Sequence, residues 1–95
     1  SASVTTSAAR NLLILLSTNQ TGGDGDYVRA RIDISGATPS SIELNLTDYS
    51  LGYTNQTTFV FATQSSAGTS TVSVKLKSGA GNAVVEGTRL AVIAL

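Results

Sequence analysis

Cysteine, histidine and methionine are all absent from this 95-residue sequence, and each absence removes a class of chemistry. Without cysteine there is no disulfide framework and no thiolate metal site, so the fold must hold by packing alone and the redox compartment leaves no mark. Without histidine the commonest general base and the commonest metal ligand are missing; without methionine, so is the flexible thioether of promiscuous grooves. Charge is scarce too, at 13% of residues, about half the roughly 25% of an ordinary globular chain. Six Lys and Arg balance six Asp and Glu, and the cations Arg10, Arg29, Arg31, Lys75, Lys77 and Arg89 lie in four separate places along the chain. That scatter argues against a basic surface for nucleic acid or for a membrane. No apolar run reaches the roughly 20 residues that cross a bilayer, and Leu12 to Leu16 has the length of a buried strand, so a soluble chain is expected. The start at Ser1 fits either loss of an initiator Met or cleavage of a secretory signal.

A chain of this length buries one core and makes one domain. Residues 1–9 are Ser, Thr and Ala with a single Val, too little apolar surface to offset the entropy of ordering. They are expected to form an arm, flexible or ordered only by a partner, ahead of a domain at 10–95. Asn11 to Thr18 (NLLILLST) is a continuous apolar run that suits a strand covered on both faces, followed by the turn-rich Asn19 to Gly25. Asp26 to Ile34 alternates, with Val28, Ala30, Ile32 and Ile34 on one face and Tyr27, Arg29, Arg31 and Asp33 on the other.

Pro39, the only proline, sits in the loop Ser35 to Ser41. Ile42, Leu44 and Leu46 then mark a third strand; Tyr49, Leu51 and Tyr53 mark either a short edge strand or a loop covering one end of the core. Thr57 to Thr63 is β-branched and aromatic, with Phe59 and Phe61 sharing a face. Thr69 to Lys77 alternates with Val72, Val74 and Leu76 inward. After the turn Ser78 to Gly81 come a brief strand, Asn82 to Glu86, and a final one, Thr88 to Leu95, apolar on both faces at its end. About seven to eight short strands with regular turn signals and almost no helical period predict an all-β, antiparallel, jelly-roll-like sandwich.

Two of these strands, Leu12 to Leu16 and Leu90 to Leu95, offer apolar side chains to both faces, whereas a two-sheet sandwich buries one face of each. Self-association is the simplest cover, with Leu12, Ile14, Leu16, Leu90, Val92, Ile93 and Leu95 as the expected interface. The alternative is that the arm or the Tyr49 to Tyr53 segment folds back over them.

Three stretches carry a family resemblance. They are the early apolar strand with its Gly/Asp loop and the VRARID segment (Asn11 to Asp33), the hairpin Thr69 to Gly81, and the closing Val84 to Leu95. Together they resemble small trimeric jelly-roll proteins of tailed phages, of tumour-necrosis-factor-like fold, which serve as capsid decoration (cement) proteins and fibre-tip domains. The resemblance implies a homotrimer with its C-terminal strand near the three-fold axis, attached to a major capsid or tail protein at the virion surface.

Other candidate chemistry is thin. Asp24 and Asp26 stand two apart in a glycine-rich loop, but two carboxylates are too few for a calcium site, and a polar turn is the plainer reading; no cofactor is expected. The sequons at Asn19, Asn45 and Asn55 accept glycans only if the protein crosses a glycosylating membrane, and a Ser/Thr-rich chain produces such triplets by chance. Ser and Thr abound, but without a histidine base or a Gly-x-Ser-x-Gly elbow no nucleophile is activated, and Glu43 with Asp48 reads as solvated surface rather than a glycosidase pair. Arg29 and Arg31 could make inter-subunit ion pairs or simply solvate a sheet face. The expectation is therefore a non-enzymatic capsid decoration protein. A receptor-binding fibre tip, and a secreted, glycosylated, extracellular filament subunit exchanging its arm, are the alternatives.

Overall fold

Each alternating segment becomes a strand, and no helix forms among the described residues. The computed structural model of the protein describes the backbone of residues 1–22, 26–49, 52–79 and 84–95, and the side chains of 1–20, 28–46, 55–77 and 85–95. The strands are β1 (Ala2–Thr6), β2 (Asn11–Gly22), β3 (Asp26–Ile34), β4 (Ala37–Thr38), β5 (Ser41–Tyr49), β6 (Gly52–Gln64), β7 (Gly68–Gly79) and β8 (Val84–Ala94). They form two antiparallel sheets of four, sheet A in the order β1-β7-β3-β5 and sheet B in the order β4-β6-β2-β8. Each successive strand lies in the opposite sheet, so the pairings nest around one another: β1 with β7, β2 with β6, β3 with β5. This is the expected all-β antiparallel sandwich of eight strands, though most of them are longer than the short strands expected.

The core lies between the sheets, where period-2 alternation delivers one face of each strand. From sheet A come Val28, Ala30, Ile32 and Ile34 of β3 with Val72 of β7 and Leu46 of β5; from sheet B come Leu12, Ile14 and Leu16 of β2 with Ala62 of β6. Val60, Leu90, Val92 and Ala94 are half-buried against them. Further along β2 the inward face turns polar at Thr18 and Gln20. There Gln20 Nε2 donates to Thr18 Oγ1 at 2.9 Å, while the buried Gln20 Oε1 has no partner among the described residues.

The N-terminal segment departs from expectation. Instead of an arm awaiting a neighbour, residues 2–6 form β1 at the edge of sheet A, paired with β7 from Ala2 opposite Val72 to Thr6 opposite Gly68. Val4 packs on the core, and hydroxyl pairs, Ser3 with Thr71 at 3.0 Å and Thr5 with Thr69 at 2.8 Å, join the solvent face. Backbone pairing and one valine are enough to order the segment on its own chain.

The C-terminus differs as well, since the two strands expected there are one. Gly87 and Thr88 of β8 together oppose Thr18 of β2, a bulge that lets the strand continue. Gly87 adopts φ +60° there, a conformation costly for other residues. A second irregularity inserts Leu46 of β5 between the partners of Val28 and Arg29.

Candidate assembly surface

What β2, β6 and β8 place on the outer face of sheet B follows from their register. Phe61, Leu13 and Ile93 form one row across the three strands, and Phe59, Leu15 and Ala91 the next. Leu95 extends the face two residues past Ile93. Phe59 is 61% exposed, Phe61 56%, Ile93 45% and Leu95 56%, while Leu13 and Leu15 between them are half-buried. The two phenylalanine rings meet edge to face, centroids 5.8 Å apart and planes at 78°, a favourable aromatic geometry. Hydrogen-bonded polar pairs border the patch: Thr63 donates to Asn11 Oδ1 at 3.0 Å at one end, and Thr57 to Ser17 Oγ at 3.4 Å at the other. These side chains leave on the order of 400 Å² of contiguous apolar surface in water, as much as the largest patch on a typical monomer.

The expected interface residues therefore divide. Leu12, Ile14 and Leu16 are in the core and cannot meet a partner, and Leu90 and Val92 face inward beside them. Ile93 and Leu95 lie on the outer face as required. The apolar run does supply that face, but through Leu13 and Leu15, and the largest contributors, Phe59 and Phe61, come from a strand that the interface expectation left out. Their shared parity in TTFVFAT was the available signal.

The same sheet has an unguarded edge. β4 covers β6 only at Gln64 and Thr63, so among the described residues Gly52 to Ala62 has a strand partner on one side alone. Edges of this kind are normally blunted by charge, proline, bulges or shortness. β1 is short, β5 carries Glu43, Asp48 and an irregularity, and β8 carries Glu86, Arg89 and the Gly87 bulge. The 13 residues of β6 include no charged residue and no proline.

The outer face of sheet A is opposite in character. Lys75 of β7 stands across from Arg31 of β3, which stands across from Glu43 of β5; the next row is Lys77, Arg29 and Asn45. Four of the six cations, scattered along the chain, thus meet on one face, which overturns the inference that distance in sequence keeps them apart. Arg31 Nε donates to Asp33 Oδ1 at 3.0 Å, a solvent-exposed pair within one strand.

All three sequon asparagines are exposed, Asn19 and Asn55 directly opposite each other on sheet B and Asn45 on sheet A. Asp24 and Leu51 lie outside the described residues, as do the side chains of Asp26, Asp48, Tyr49 and Tyr53; by backbone, Asp26 opens β3 opposite Tyr49 at the end of β5, and Tyr53 lies within β6 opposite Thr21. Among the described residues no three carboxylates gather as a metal site. No protein-family model, curated protein or solved structure matches this chain.

Proposed function

We propose that this chain is a structural, non-catalytic assembly module that joins copies of itself through the outer face of sheet B and the adjoining edge of β6. The observation that carries the reading is the exposed Phe59 and Phe61 pair, set in a continuous apolar patch on the strand whose edge is left open. A specific interface removes about 800 Å² from each partner. The patch supplies the apolar centre of such an area, and an added strand at β6 supplies backbone hydrogen bonds and the remaining contact. In its concrete form the module is a capsid decoration protein, trimeric on a virion surface, a reading supported by the resemblance of Asn11 to Asp33, Thr69 to Gly81 and Val84 to Leu95 to the phage jelly-roll proteins.

Light scattering coupled to gel filtration tests the first part. The expected result is three chain masses for the wild type and one for Phe59→Thr/Phe61→Thr, whose β-branched replacements keep the strand. A monomeric wild type at high concentration would overturn the reading, and a dimer would keep self-association while removing the trimer. Co-sedimentation with phage particles lacking their decoration protein tests the second part.

A further inference from the structure

We propose that Arg89 of one copy pairs with Glu86 of the next, and that this pairing sets which way round the copies meet; it rests on the assembly reading above and adds an orientation to it. The four strands of sheet B contain only two charged residues, these two, of opposite sign and both on β8. Arg89 stands opposite Ser17, in the row beyond Ala91, and Glu86 stands opposite Asn19, one row further on. Three positions apart on a regular strand they would point to opposite faces. The Gly87 bulge shifts the parity and puts both on the outer face, beside the apolar patch. Both side chains are exposed, and among the described residues neither has a hydrogen bond or an ion pair, with each other or with Ser17, Thr57, Asn19 and Asn55 around them.

The outer face of sheet B therefore has a direction. Phe61, Phe59, Arg89 and Glu86 mark four successive rows along it, apolar at one end and charged at the other. Copies related by a rotation axis along the strands bring equal rows together. Apolar rows then meet apolar rows, and the Arg89 of each copy stands one row, about 7 Å, from the level of its neighbour's Glu86, within reach of the long guanidinium arm. Every copy supplies one charge of each sign, so the pairs close in a ring for two copies or for three. Copies meeting antiparallel can superpose their apolar rows as well, but Arg89 and Glu86 then lie beyond the partner's end of the face, without each other. Charges at the rim of an apolar contact act in this way on orientation more than on affinity.

Charge reversal followed by sedimentation velocity tests the pairing. Arg89→Glu and Glu86→Arg each set like charges against one another in the ring and should raise the concentration at half-assembly by about tenfold or more. Arg89→Glu/Glu86→Arg restores opposite charges and should assemble within about threefold of wild type. Lys77→Glu and Glu43→Arg change net charge equally on the far sheet and should leave assembly as it was. The losses in the single variants should shrink between about 20 and about 500 mM salt, where screening is strong. Circular dichroism of each variant checks that the fold is kept. Single reversals that assemble like wild type would overturn the pair and leave self-association standing, as would a double variant no better than the singles or equal losses in the sheet A controls. A wild type that stays monomeric would overturn the assembly reading and the pair together.

Discussion

Gln64 and Arg10 hold each other twice: the Gln64 amide donates to the Arg10 carbonyl at 2.9 Å, and the Arg10 amide donates to Gln64 Oε1 at 3.1 Å. The same side-chain oxygen accepts Thr6 Oγ1 at 2.7 Å, and Gln64 Nε2 reaches Gly68 O at 3.3 Å and Ser70 Oγ at 3.2 Å. One buried glutamine at the end of β6 therefore ties together β1, the link into β2 and the start of β7. A polar group this deep is tolerated because both ends of its amide are satisfied.

Replacing it with an apolar residue of similar size leaves those partners unmet. Gln64→Leu should destabilise the protein by about 2–3 kcal/mol, the range for orphaning buried polar groups. Urea unfolding followed by circular dichroism reads the change, and faster exchange of the Arg10 amide should accompany it. A loss below about 0.5 kcal/mol, the level of an ordinary surface change, would remove the glutamine from this role.

Gly87 is held by two constraints, its positive φ and its neighbour Asn19. A Cβ built there would sit 3.1 Å from Asn19 Nδ2. Gly87→Ala is therefore expected to cost about 1–2 kcal/mol, which lowers the melting temperature of a domain this size by roughly 5–10 °C. An unchanged melting temperature would mean that β8 can straighten its bulge.

Deleting residues 1–6 separates an integral strand from an arm. As an edge strand β1 contributes backbone pairing to β7 and the half-buried Val4, so its loss should destabilise the domain by about 3 kcal/mol. A mere arm would leave the unfolding curve where it was.

Sequence period carried much of this fold, and its failures have physical causes. In β3, β5 and β7 apolar and polar residues alternate, so the face turned inward was readable before any partner was known. Leu12 to Leu16 has no alternation, and its parity is decided only by the strands beside it: Ala62 and Val92, on its inner side, leave Phe61 and Ile93 outside with Leu13. β1 was hidden because a serine and threonine strand resembles a disordered tail unless its hydroxyl partners on β7 are known. The cations of sheet A were illegible as a group, since only the pairing of β3 with β7 brings Arg29 and Arg31 beside Lys77 and Lys75.

That parity yields the sharpest separation of stability from assembly. Leu12 is fully buried and Leu13, its chain neighbour, lies between Phe61 and Ile93 on the outer face. Leu12→Ala should cost about 3 kcal/mol or more, through lost transfer energy and the cavity left behind. Leu13→Ser should cost about 1 kcal/mol, being half-exposed in the separate chain, yet weaken self-association, because it places a hydroxyl in the middle of the apolar patch. Urea unfolding and sedimentation velocity on the same two proteins give opposite rankings if the outer face of sheet B is the contact. Equal losses of stability would undo the assignment of faces, and an unchanged sedimentation profile for Leu13→Ser would move the contact elsewhere on the sandwich.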